Sequence, residues 1–143
     1  MSQYLNFFVR HNEDFIPLAN YSRNTHVYDV VEAPYEKIRR FSQEQLEAIA
    51  SKLRESKTSA HKEIARLQQQ IEIAKGINIT EDNFDEVFGA IRNIMNMISE
   101  YQEDIETLER EAIEIEFMRN MTYDDCEIFA GIEISDPTID DIC

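Results

Sequence analysis

From Phe84 onward, apolar residues recur at Phe84, Val87, Ile91, Ile94, Ile98, Tyr101, Ile105, Leu108, Ala112 and Ile115, in alternating steps of three and four. At 3.6 residues per turn these positions form one stripe along a helix, and a run that holds phase over several heptads is a coiled-coil seam. A second run precedes it, through Leu46, Ile49, Leu53, Ser56, Ala60, Ile64, Leu67, Ile71 and Ala74. Its phase slips once, between Ser56 and Ile64. Ser42 and Gln45 stand three apart at its start, the spacing of a capping box in which each side chain satisfies the other residue's free backbone donor. The pattern predicts helix one over 41–75 and helix two over 81–121.

Between them lies the stretch AKGINITEDNF. Gly76 sits where a left-handed residue often closes a helix, after Lys75, whose cation suits the negative end of the helix dipole. Thr80 is a good N-cap, and Glu81, Asp82 and Asp85 place negative charge at the next helix's positive end. A stop and a start this close together predict an antiparallel hairpin, with arms of roughly 50–60 Å at about 1.5 Å per residue.

The flanks follow a different period. Leu5, Phe7 and Val9 alternate in YLNFFVRH, FIPLANY forms a second short strand, and HVYDVV (His26 to Val31) is a weaker third. Pro17 removes a ladder donor and marks the second strand as an edge. After helix two, Cys126, Ile128, Ala130, Ile132 and Ile134 alternate over 126–134. A hairpin returns the chain to its beginning, so this last strand arrives beside the N-terminal ones. The expected fold is α+β: a long antiparallel helical hairpin, coiled-coil-like, with a small antiparallel sheet from the N-terminal strands (1–40) and the C-terminal strand at its open end. The whole reads as one domain of 143 residues, ending in an acidic, loose tail over 135–143.

Charge sharpens this picture. Residues 1–80 hold 11 Lys and Arg against 10 Asp and Glu, whereas residues 81–143 hold 3 against 19. The second half would repel a polyanion, which excludes nucleic acid as a partner bound by charge. Residues 34–75 carry nine basic and six acidic groups, so helix one can lie along the acidic helix two. The chain shows no signal-peptide core and no apolar run long enough to span a bilayer, so no membrane association is expected. Cys126 and Cys143 then read as free thiols in the cytoplasm.

Catalytic chemistry finds little support. The three glycines stand too far apart for a phosphate loop, the cysteines lack zinc spacing, and no Glu precedes a His by three residues as di-iron bundles require. His11 and His26 form an acid–base or metal pair only if neighbouring strands bring them together. Cys126 follows Asp124 and Asp125, carboxylates that disfavour the thiolate a nucleophile needs. No enzyme activity, cofactor or metal is expected.

Two surfaces remain. Glu103, Asp104, Glu106, Glu109, Glu111, Glu114 and Glu116 form an acidic ladder along helix two, available to a basic partner. At the loop end, positions flanking the seam turn apolar: Ile73 and Ile77 and Ile79, then Phe88, Met95 and Met97. Two helices need only a narrow stripe, so this widening calls for another surface, most simply a second copy forming a local four-helix core. Small phage-type structural proteins share this composition. The sequence therefore predicts a non-enzymatic structural or adaptor protein, homo-oligomeric (simplest as a dimer), that also contacts another protein. A second reading is an acidic inhibitor that imitates nucleic acid and fills a basic groove.

Overall fold

The computed structural model describes residues 3–143. The chain divides into two compact units, Met1–Leu53 with Arg110–Cys143, and Arg54–Glu109. The two long helices run through both. Helix α2 spans Gln43–Lys75 and α3 spans Phe84–Tyr123.

In the first unit, four antiparallel strands form one sheet: β1 (Tyr4–His11), β2 (Asp14–Ser22), β3 (Arg39–Phe41) and β4 (Glu127–Ile132), in the order β2-β1-β4-β3. The strand β2 occupies an edge, as Pro17 requires, and a bulge between Phe7 and Phe8 lets Phe8 pair with Pro17. The hairpin turns through Asn12, whose positive φ suits its short polar side chain. The strand β4 lies between β1 and β3, with Leu5 opposite Ile132 and Phe8 opposite Phe129 on the β1 side and Phe41 opposite Ile128 on the β3 side.

The segment His26–Val31, expected as a third strand, is instead the five-residue helix α1 (His26–Val30) followed by its C-cap. The Thr25 hydroxyl accepts from the Tyr28 N–H, an N-cap that converts a β-rich sequence to a turn of helix. The extra strand is β3, too short to show a period.

The strand β4 does not alternate: Ile128, Phe129, Ala130 and Gly131 are all buried. Both faces of the sheet are therefore covered. On one face Phe7 stacks edge-on with Tyr21 and tilts against Phe41. On the other, Phe8, Ile38 and Phe129 form a cluster against which Phe15, Ile134 and Ile142 pack. The acidic tail, expected to be loose, thus lies against the sheet. The Ile38 N–H donates to the Asp141 carbonyl and the Cys143 N–H to the Ile38 carbonyl, each at 2.9 Å. Ile142 of the tail, with Ile134 just ahead of it, supplies apolar contact that the tail's charge conceals.

Gly131 marks a close approach. A Cβ there would lie 1.9 Å from the Lys37 carbonyl oxygen.

In the second unit α2 and α3 run antiparallel, with Ala60, Ile64 and Ile105 buried and Ile98 and Tyr101 packed on them. Lys57 pairs with Glu109 at 2.8 Å. Ser56, read as a seam position, is exposed, and Lys57 is the half-buried residue instead. The phase slip thus falls about two turns earlier, between Ile49 and Lys57, where a lysine lays its stem across the seam and its ammonium reaches out to a carboxylate. The capping box at α2 forms as expected: Gln45 N–H to Ser42 Oγ at 3.2 Å and Ser42 N–H to Gln45 Oε1 at 2.8 Å.

Gly76 does not adopt the left-handed conformation. The helix ends instead through tightened turns, Gly76 N–H to Ile73 O and Ile77 N–H to Ala74 O, both 3.1 Å. The entry to α3 starts at Thr80, whose carbonyl accepts from the Asn83 and Phe84 N–H groups. Asn83 locks this turn, accepting from the Thr80 N–H and donating to the Asn78 carbonyl.

Candidate functional site

The seam on α2 and α3 is not uniformly buried. Within the second unit Ala60, Ile64, Leu67, Ile105 and Leu108 are buried, but Ile71, Ala74, Ile91, Ile94 and Ile98 are only half-buried. Val87 alone is buried near the loop. Two helices enclose a seam on two sides only, so aliphatic residues there stay partly wet until further helices close the remaining sides.

Around this half-open seam stand the exposed apolar side chains Ile73, Ile77, Ile79, Phe84, Phe88, Met95 and Met97, of which Met95 is 56% exposed. All six side chains singled out from the sequence at this end are exposed, and Phe84 joins them. Phe84 was assigned to the seam, but it stands in the first turn of α3, before the helices pack fully. It meets Phe88 edge to face at 6.2 Å. On α3 the exposed residues border the seam on both sides, Phe84, Phe88 and Met95 on one and Met97 on the other, as their helical spacing dictates.

The acidic ladder fares differently. Glu111 is 1% exposed and cannot meet a partner. Its Oε1 accepts from the Val27 N–H at 3.2 Å, tying the first turn of α1 to α3. Burial raises its pKa, and the Val27 hydrogen bond and the nearby His26 and Arg110 offset that rise only in part. Glu114 accepts from the Tyr21 hydroxyl at 3.4 Å and faces Arg110. Burial, followed by the Glu114 and Glu111 carboxylates, pushes the Tyr21 phenol far above its ordinary range. Glu109 is drawn to Lys57, which lowers its pKa. Asp104 and Glu116 are engaged as well. Glu103 and Glu106 stay exposed on the outer side of α3. The ladder is therefore not one open surface, because consecutive carboxylates spread around the helix and several turn toward their own chain.

The two histidines do not meet. His11 pairs with Asp14 at the turn of the β1–β2 hairpin, while His26 follows Ser22 at the opposite end, where Ser22 pairs with Tyr4. Seven residues of strand separate the ends, about 23 Å at about 3.3 Å per residue. Among the described residues no group of three His, Cys, Asp or Glu is placed to hold a metal ion. Cys126 is half-buried, just ahead of β4 rather than within it, and both cysteines are free. It borders an open polar cleft of about 360 Å³ lined by Arg40, Gln43, Glu44, Asp125 and Glu127 among others. The Cys126 thiol donates to the Asp124 carbonyl at 4.0 Å. No helix among the described residues is long and apolar enough to cross a membrane.

Sequence reasoning missed Ile113 and Phe117, which are 66% and 69% exposed on α3 in the first unit. Their four-residue spacing, off the seam, was the available signal. No family model matches this chain, and neither a curated protein nor a solved structure matches it.

Proposed function

We propose that this protein is a non-enzymatic structural or adaptor protein that works through protein–protein contacts and self-associates through the loop end of its helical hairpin. The observation that carries this reading is the graded seam, closed around Ile64 and Ile105 and half-open from Ile71 to Ile98, with exposed large apolar side chains on its borders. Seven such side chains of roughly 150–200 Å², each about half exposed, leave on the order of 600 Å² of apolar surface, at the top of the range for a monomer's largest patch. Two copies face to face would bury about 1,200 Å², within the size class of specific interfaces. Apolar burial gives such an assembly its stability, and the net charge of −15 keeps the rest of the surface soluble.

Phe88→Glu combined with Met97→Glu tests this reading. Both sites lie outside the seam, so helicity by circular dichroism should stay near wild type while sedimentation shifts from an oligomer to a monomer. Like charges brought together at a desolvated contact repel and lose water. A wild-type protein already monomeric at tens of micromolar would end the self-association reading.

A further inference from the structure

The exposed stripe of α3 carries information about orientation. Phe84, Phe88, Ile91 and Met95 follow one another at steps of four, three and four, so they share one border of the seam. Beside them stand Asp85 and Arg92, one heptad apart and opposite in charge. Both are exposed, and among the described residues neither forms an ion pair or a side-chain hydrogen bond. The midpoint between Phe84 and Met95 falls between Gly89 and Ala90, and that between Asp85 and Arg92 falls between Phe88 and Gly89. Apolar stripe and charge pair are thus centred within a residue of each other. This is the requirement for a two-fold axis crossing the helix there, since an isologous contact sets residue i against j and j against i.

Resting on the self-association reading, we infer that the occupant of this stripe is the α3 stripe of a second copy, packed antiparallel about a two-fold axis near Phe88 and Gly89. In that arrangement Asp85 of each copy faces Arg92 of the other, twice per dimer. A parallel arrangement sets Asp85 against Asp85 and Arg92 against Arg92. It also gathers Glu81, Asp82, Asp85 and Glu86 from both copies at one end, where like charges repel. Antiparallel helices set opposite dipole ends side by side as well. Within the hairpin, Asp85 has only its place in the first turn of α3 to account for it. Arg92 has nothing.

Charge exchange tests the pairing. Asp85→Arg alone and Arg92→Asp alone each turn two attractive contacts per dimer into two repulsive ones. At low salt each should weaken the dimer roughly tenfold or more, on exposed-pair magnitudes. The double variant restores both contacts with reversed polarity and should return within about threefold of the wild-type dissociation constant. It keeps the net charge of −15. The rescue is diagnostic, because the unfavourable helix-dipole effect of Asp85→Arg is not undone by Arg92→Asp. Analytical ultracentrifugation reads all four proteins, with circular dichroism confirming helicity. A dimer whose single variants bind as wild type, or whose double variant stays as weak as the singles, overturns the antiparallel pairing and leaves self-association standing. A monomeric wild type removes both.

Discussion

Replacing Gly131 with alanine should cost the protein a large part of its stability, for a reason that has nothing to do with backbone freedom. Gly131 has a negative φ that any residue adopts. The obstacle is the Lys37 carbonyl oxygen, 1.9 Å from where the new Cβ would stand, with the Lys37 carbonyl carbon and Ile134 Cγ2 each at 3.0 Å. Relief needs the 34–38 segment to withdraw by more than 1 Å, to an ordinary contact of about 3.3 Å. That segment is tied on both sides. The Ile132 N–H donates to the Pro34 carbonyl at 2.8 Å, the Glu36 N–H to the Ile132 carbonyl at 2.9 Å, and Ile38 exchanges two bonds with the tail. Losing two or three of these at about 1 kcal/mol each, with about 1–3 kcal/mol of overpacking, amounts to roughly 3–6 kcal/mol. At this chain length that lowers Tm by on the order of 10 °C or more. Gly89→Ala is the control. Its Cβ meets nothing within 4 Å, so relief from helical glycine should stabilise by about 0.5–1 kcal/mol. Thermal melts by circular dichroism compare the two, and a Gly131→Ala protein melting within a degree or two of wild type would refute the steric argument.

Two further outcomes are expected. Ile105→Asp, at a buried position packed with Ala60 and Ile64, should cost at least 3 kcal/mol and collapse the melting transition, while Gln102→Asp on the exposed side of the same helix stays within about 0.5 kcal/mol of wild type. Glu111→Gln keeps an acceptor for the Val27 N–H without the buried charge. Because burial raises the Glu111 pKa in the folded state, the native protein holds that proton more tightly. Its contribution to stability is therefore full below the ordinary carboxylate pKa and is lost as pH rises through the folded value. The Tm difference, variant minus wild type, should then grow as pH rises above the ordinary carboxylate range, and a flat difference would contradict the assignment.

How much of this was legible in the sequence depended on the range of the forces involved. The seam of α3, the Ser42–Gln45 cap and the edge position of β2 rest on interactions a few residues apart, and each is present. Thr25, which caps α1, acts just as locally, yet β-branched and aromatic neighbours in HVYDVV masked it. The strand β3 was illegible because three residues show no period, and its pairing partner lies at Ile128–Ala130. The tail was misread because its three aspartates drew attention from its apolar residues, although Pro137 is buried and Ile142 packs on the sheet. Glu111 illustrates the limit for the acidic surface: composition counts carboxylates but does not say which of them its own fold consumes. The apolar loop end, by contrast, was readable, because side chains that widen a seam leave a mark in the heptad itself.

The sheet places Leu5 beside Ile132, residues that chain entropy keeps far apart until something else draws them together. The second unit contains that means. Its helices touch within a span of 54–109, close through a turn pinned by Asn83, and assemble from contacts much nearer in sequence. Once zipped, they shorten the effective loop between the sheet strands from about 127 residues to about 70, a little less than one halving and roughly 0.5 kcal/mol of closure entropy. Early pairing of these helices would therefore lower the entropic cost of closing the sheet. A weakened Asn83 turn should then modestly slow closure of a sheet whose own residues are untouched.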